Sequence, residues 1–167
     1  NNMAHSSMEL VPCEDIKSVC ANVQALITAT AYKGAHTLLD PQWLQPGTFI
    51  AGVGGDCPGK TELSAALLSQ CRIVVEYLPQ SKIEGEIQHL DDVSEVIELY
   101  DVLSGKTQLR QQDTQWILFD SVGFALEDLI IMRVLYAQYR RHHDVEDAGL
   151  LPDVPHPKDL YGALMHT

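Results

Sequence analysis

Short apolar runs alternate with more polar stretches along this chain. Apolar runs bounded by turn-forming residues predict buried β-strands at 8–11, 23–30, 48–53, 72–77 and 116–120. The intervening stretches predict helices at 14–20, 63–69, 94–104 and 123–141. Because strands that alternate with helices form parallel sheets covered on both faces, the pattern predicts an α/β fold with a doubly wound, mainly parallel sheet.

Small or polar residues follow three of the predicted strands. The junctions read TATA at 28–31, VGGD at 53–56 and FDSVG at 119–123. In open α/β sheets, ligands bind beyond the carboxyl ends of the strands. The three junctions are therefore predicted to form a single site.

Acidic residues dominate the charge. The chain has 23 Asp and Glu against 11 Lys and Arg, a formal charge of −12. This charge repels nucleic-acid backbones and anionic lipid surfaces, so neither is expected as a partner. The sequence shows no run as long as a membrane span, no signal-peptide pattern and no C-x-x-C spacing. We expect a cytoplasmic protein with reduced thiols.

One loop matches a phosphate-binding pattern. Residues 54–61 read G-x-x-x-x-G-K-T, and Asp120 at the end of WILFD is a candidate magnesium ligand for a nucleoside triphosphatase. Two residues oppose this interpretation. Asp56 places a carboxylate where phosphates would sit, and Pro58 removes one N–H donor. The phosphate loop is therefore the minor alternative.

Four separated stretches carry a family resemblance. They are GVGGDCPGKTEL at 52–63, EYLPQSKIEGEIQHL at 76–90, FDSVGFALED at 119–128 and HPKDLYGAL at 156–164. In this order they resemble the ornithine cyclodeaminase/mu-crystallin family, and specifically its ornithine cyclodeaminase branch. The resemblance implies a Rossmann-like fold, tightly bound NAD, and conversion of L-ornithine to L-proline and ammonia by hydride transfer to and from NAD.

The resemblance also implies roles for individual residues. Asp56 matches the family's catalytic acid/base, which contacts the substrate, and Val122 matches a backbone contact to ornithine. A carboxylate suits this role, because both α-amine deprotonation and ammonia departure need a group that carries a proton. No metal is implied. The positions that match cofactor contacts are Thr30, Val53, Gly54, Lys60 and Ser121.

Each of these residues also has a structural interpretation. Asp56 can cap a turn or pair with Lys60, and Lys60 can be a solvated charge. Thr30 can be an ordinary β-branched strand residue. Gly54 and Gly55 let the backbone approach a cofactor, or simply form a tight turn.

Further polar residues are not predicted to belong to the site. Glu84 and Glu86 flank one glycine in a predicted loop, and we expect structural roles for them. His142 and His143 are adjacent, so on a helix they point about 100° apart and cannot form an i, i+4 metal pair.

The resemblance covers about the C-terminal half of the family's length. It implies that residues 1–141 form an incomplete NAD-binding Rossmann-like domain without the glycine-rich first turn. Residues 142–167 are expected to be a C-terminal extension that packs on the absent N-terminal domain. That domain builds the family's dimer interface, so a homodimer is expected through it, and the fragment alone is expected to be inactive.

Two departures leave the substrate open. Tyr32 stands where the family branch usually has aspartate, and Ala51 stands where it usually has asparagine. The substrate is therefore ornithine, lysine or another amino acid or imine. A non-catalytic mu-crystallin-like binding protein and a ketimine reductase-like relative are the alternative functions.

Overall fold

The computed structural model describes residues 9–142. Its strands are β1 (Ala25–Thr28), β2 (Phe49–Gly52), β3 (Arg72–Val75), β4 (Ile97–Glu98) and β5 (Ile117–Asp120). They form one five-stranded sheet in the order β1-β2-β5-β3-β4, and all neighbouring strands are parallel. The predicted α/β fold with a parallel sheet is confirmed.

Burial differs between the centre and the edge of the sheet. Ile50 in β2, Leu118 in β5 and Val75 in β3 are fully buried, as expected for strands covered on both faces. β1 lies at one edge, where Leu26 is buried but Ile27 is 74% exposed. The prediction of a fully buried strand is therefore wrong for β1, since only one of its faces is covered in the described part of the chain.

One short helix precedes the sheet, and others connect its strands. They are α1 (Ile16–Cys20), α2 (Ala65–Leu68), α3 (Leu78–Glu84) and α4 (Leu99–Leu103), with 3-10 turns at Pro41–Trp43 and Glu86–His89. Side chains cap two of the helices at their N-termini. Asp15 Oδ1 accepts the Ser18 N–H at 2.7 Å, and Ser64 Oγ accepts the Leu67 N–H at 3.2 Å.

Two predicted elements differ from the structure. Residues 9–11 form no strand, since Leu10 and Val11 are 87% and 70% exposed and have no core to pack on, while residue 8 lies outside the described residues. The helix predicted at 94–104 is shorter, because Ile97 and Glu98 pair with Val74 and Val75 as β4 before α4 begins. α3 and the turn after it were not predicted.

The chain divides into two compact units after Phe124. The described part of the second unit is helix α5 (Ala125–His142), which matches the helix predicted at 123–141. Its large apolar side chains, from Leu126 to Tyr139, are exposed. No helix between residues 9 and 142 has the length and apolar character needed to cross a bilayer. Residues 143–167 of the predicted extension, with His143, lie outside the described residues.

Candidate active site at the carboxyl edge of the sheet

The three predicted junctions lie side by side. Backbone hydrogen bonds extend the sheet by one residue, since Val53 N–H donates to Thr28 O and Ser121 N–H donates to Gly52 O, both at 3.0 Å. The segments that follow β1, β2 and β5 therefore begin on adjacent strands. We call this end of the sheet, with residues 29–31, 53–62, 76–77 and 121–124, the carboxyl edge.

Thr30 is held by a buried carboxylate. Its backbone N–H and its hydroxyl both donate to Glu62 Oε1, at 2.8 and 2.5 Å. The Glu62 side chain is buried, and its Oε2 has no hydrogen-bond partner among the described residues. A Cβ on Gly54 would overlap this carboxylate. Gly54 is therefore needed for the close approach of Glu62, an explanation that the sequence did not suggest.

A second buried carboxylate supports the first. Glu86 accepts the N–H of Glu62 through both oxygens, at 2.9 and 3.0 Å, and its Oε2 also accepts the N–H of Leu63 at 2.9 Å. A Cβ on Gly55 would stand 2.6 Å from Glu86 Oε1. The structural role predicted for Glu86 is confirmed. Its predicted loop position is wrong, because Glu84 closes α3 and Glu86 opens a 3-10 turn.

Asp120 completes the chain of buried carboxylates. Its Oδ1 accepts the Glu86 N–H at 2.9 Å, and its Oδ2 accepts the Ile87 N–H at 3.1 Å. A Cβ on Gly85 would overlap Oδ2. Glu62, Glu86 and Asp120 thus link the ends of β1, β2 and β5 through backbone N–H donors.

Burial controls the ionisation of two of these acids. It raises the pKa of Glu86 to about 7, although the N–H donors of Glu62 and Leu63 act in the opposite direction. Burial also raises the pKa of Asp120 to about 6, against the N–H donors of Glu86 and Ile87. Burial thus makes both carboxyls easier to protonate than exposed ones.

Asp56 and Lys60 form an ion pair in the loop after β2. Lys60 Nζ lies 2.9 Å from Asp56 Oδ1, so the pairing offered by the structural interpretation is present. The Asp56 side chain is 54% exposed, whereas that of Lys60 is only 12% exposed. The hydrogen bond to Asp56 raises the pKa of Lys60 and keeps it charged. The second oxygen of the Asp56 carboxylate makes no hydrogen bond to any of the described residues.

Ser121 and Val122 are held by Glu76, the first residue after β3. The Ser121 hydroxyl donates to Glu76 Oε1, and the Val122 N–H donates to Oε2 at 3.4 Å. The next residues form an aromatic pair, because the rings of Tyr77 and Phe124 stack with centroids 5.7 Å apart. Two neighbouring strand ends are therefore joined by both polar and aromatic contacts.

The loop at 54–61 does not have the geometry of a phosphate-binding loop. No helix starts at its Lys-Thr end, since α2 begins only at Ala65. The Thr61 hydroxyl is bound to His89 Nε2 at 2.5 Å. Both oxygens of Asp120 accept backbone N–H groups and are buried, so they are not available to magnesium. The phosphate-loop alternative is wrong.

Sequence reasoning missed the acids that organise the site. The sequence did not indicate a role for Glu62 or Glu76, and it did not indicate that Asp120 is buried, because charged residues are usually exposed. A usable signal was present for two of them. Glu76 and Asp120 stand at the ends of the apolar runs RIVV and ILF, where a parallel sheet turns polar. Between residues 9 and 142, no group of three or more His, Cys, Asp and Glu is arranged to hold a metal.

Comparisons with known proteins agree with this architecture. The chain is 39% identical over 164 residues to an ornithine cyclodeaminase of Agrobacterium tumefaciens (strain Ach5), which covers 98% of this chain and 46% of that protein. An archaeal alanine dehydrogenase dimer with bound NAD matches with a TM-score of 0.68 at 28% identity, over 77% of this chain and 41% of its own.

A second solved structure is similar to the same degree. The iminosuccinate reductase of Paracoccus denitrificans in complex with NAD+ matches with a TM-score of 0.67 at 27% identity, over 75% of this chain and 39% of its own. The chain thus spans less than half the length of these relatives. Residues 1–143 match the sequence profile of one family. With the Rossmann-like sheet and the profile match together, the chain belongs to the ornithine cyclodeaminase/mu-crystallin family.

Proposed function

We propose that this chain supplies part of an NAD-dependent active site that converts L-ornithine to L-proline and ammonia. The observation that carries the proposal is the half-exposed Asp56, paired with Lys60 and following β2 between the strand ends that bear Thr30 and Ser121. The 39% identity to an ornithine cyclodeaminase supports this substrate over others. We further propose a cytoplasmic homodimer, a state supported by the dimeric archaeal relative.

The side chains at the carboxyl edge suit a dinucleotide. Thr30 and Ser121 provide neutral hydroxyls, Lys60 provides a positive charge, and Val53 is an exposed apolar side chain beside Gly54. These are the residues that would hold NAD. When bound, NAD would accept a hydride from the α-carbon of the substrate and return it to the cyclic imine.

Asp56 is the proposed acid/base. Lys60 holds Oδ1, which orients the carboxylate and leaves its other oxygen for the substrate. That oxygen takes a proton from the α-ammonium group before hydride loss. After the δ-amine has attacked the α-carbon, Asp56 returns the proton to the departing ammonia. Two further protons, one from the δ-ammonium group and one from the ring nitrogen after the attack, pass to solvent and are recovered by the released ammonia and by proline.

Val122 is the proposed backbone contact to the substrate. Its N–H is directed at Glu76, so its carbonyl oxygen is the group left to accept a hydrogen bond from a substrate ammonium. Glu76 thus holds the Ser121–Val122 peptide unit, which immediately precedes the unit that carries this carbonyl.

The test compares two aspartate variants of the intact protein that carries this chain. We expect Asp56→Asn to reduce proline formation from ornithine by at least about a hundredfold, as for loss of an acid/base group, while NAD remains bound. Asp113→Asn is the matched control, because Asp113 is exposed and precedes the opposite end of β5. Equal activity of the two variants would remove Asp56 from the mechanism.

Imine reduction is the second candidate, supported by the structural similarity to the iminosuccinate reductase. It would use the same acid, with net oxidation of added NADH. Ornithine cyclisation consumes no cofactor, so the two reactions separate in one assay. Loss of NADH absorbance with a cyclic imine, without proline formation from ornithine, would favour the reductase. Ligand binding without either reaction would favour a non-catalytic binding protein.

A further inference from the structure

Glu76 contacts two residues of the proposed site without being used in the proposed reaction. Its Oε1 accepts the Ser121 hydroxyl, and its Oε2 lies 3.4 Å from the Val122 nitrogen. Ser121 is the proposed neighbour of the cofactor, and Val122 that of the substrate. One carboxylate at the end of β3 thus holds both residues that follow the neighbouring strand β5.

The hydrogen bond to Glu76 determines what Ser121 can still do. A serine hydroxyl has one proton to donate and two lone pairs that accept. In its bond to Glu76 Oε1 the hydroxyl is the donor, so this bond uses the serine proton. Ser121 Oγ then presents only lone pairs to a ligand, and the ligand group that meets it must be an N–H or O–H donor.

We infer that Glu76 is a positioning residue that makes the Ser121 hydroxyl an acceptor for the primary carboxamide of a nicotinamide cofactor. The inference rests on the proposed function, which puts Ser121 against that cofactor. A similar arrangement is present after β1, where the Thr30 hydroxyl donates to Glu62. The hydroxyls of Thr30 and Ser121 are therefore both committed as donors within the protein.

The substitution Glu76→Gln reverses this polarity with little change of shape. A glutamine amide has one acceptor oxygen and one donor nitrogen. The Val122 N–H requires the oxygen, which turns the amide nitrogen toward Ser121. Ser121 Oγ then accepts from the glutamine, and its own proton is released toward the ligand.

The test compares NAD with its 3-acetylpyridine analogue, which replaces the carboxamide by a methyl ketone and has no N–H to donate there. Dissociation constants are measured by calorimetry on the intact protein that carries this chain. We expect the wild type to prefer NAD by about five- to tenfold, the effect of one hydrogen bond. Glu76→Gln and Ser121→Ala should both remove this preference.

The ratio of the two dissociation constants separates positioning from simple bracing. A side chain that only braced the backbone would weaken both ligands equally and leave the ratio unchanged. The inference is overturned if the wild type binds NAD and the analogue equally well. It is also overturned if Glu76→Gln keeps the wild-type ratio of the two dissociation constants. Either result leaves the proposed function standing. A preference retained by Ser121→Ala also overturns it, even if Glu76→Gln fails to fold. Absence of any NAD binding overturns the proposed function as well.

Discussion

Gly55 and Glu86 are packed so closely that a methyl group on Gly55 would stand 2.6 Å from the Glu86 Oε1 atom. Glu86 cannot move away freely, because its carboxylate accepts backbone N–H groups from Glu62 and Leu63. The absence of a side chain at Gly55 is therefore a packing requirement of the buried carboxylate, in addition to any need of a ligand.

Gly55→Ala is expected to destabilise the protein. Overpacking at this contact should lower the free energy of unfolding by about 1–3 kcal/mol, measured by urea denaturation. Cys57→Ala, at an exposed position two residues later, is the control and should change stability little. If the two variants are equally stable, Glu86 adapts to the added methyl group.

The stability of the protein should depend on Glu86 between pH 4.5 and 7. The pKa of this carboxyl is about 7 in the folded protein against an ordinary value of 4.5, so unfolding releases a proton in this range. The free energy of unfolding therefore falls as pH rises, with a slope of up to about 1.4 kcal/mol per pH unit, and levels off above pH 7. Asp120, with a pKa of about 6 against 3.8, contributes in the same direction at lower pH.

Glu86→Gln isolates this contribution, because the amide resembles the protonated acid. Urea denaturation at several pH values should show that the free energy of unfolding of the variant increases relative to that of the wild type as pH rises from 4.5 to 7. A constant difference between the two proteins would show that Glu86 titrates normally.

Thr30→Val should expose the role of the Glu62 carboxylate. The variant loses the hydroxyl that donates to Oε1 at 2.5 Å, and Glu62 is buried with no other donor near Oε2 in the described residues. We expect the free energy of unfolding, measured by thermal or chemical denaturation, to fall by about 1 kcal/mol. Thr30→Ser keeps the donor and should stay near the wild type, and equal losses in both variants would point to the methyl group instead.

Magnesium-ATP is expected not to bind. Calorimetric titration should show no magnesium-dependent heat, because Asp120 is buried and bound to two backbone N–H groups. Asp120→Asn should instead lower stability by about 1–3 kcal/mol, since an amide nitrogen would face one of these donors. Tight ATP binding that this variant abolished would reinstate the phosphate-loop interpretation.

The sequence predicted strands well where burial was their cause. The runs around Ile50, Val74 and Leu118 mark β2, β3 and β5 to within a few residues, because central strands of a parallel sheet are continuously apolar. β4 left no such signal, since it has two residues and ends in Glu98. The strand predicted at 8–11 shows the limit of this rule, because an apolar run without a partner surface forms no strand at residues 9–11.

The candidate site was predicted from the resemblance more than from the residues. The resemblance predicts Asp56, Lys60 and Ser121, but it did not indicate Glu62 and Glu76, because a buried carboxylate is recognised by its hydrogen-bond donors and not by its neighbours in sequence. Glu62 and Glu86 are 24 residues apart along the chain and are joined by hydrogen bonds. Such a connection depends on the tertiary structure.

The order of the strands has a consequence for how the protein is made. Among the five strands between residues 9 and 142, β5 is the last to leave the ribosome, yet it lies between β2 and β3. Until residues 117–120 are available, β1 with β2 and β3 with β4 can form only as two separate pairs with open edges. The same strand brings Asp120 to the backbone of Glu86, so we expect the joining of the sheet and the assembly of the site to occur in a single late folding event.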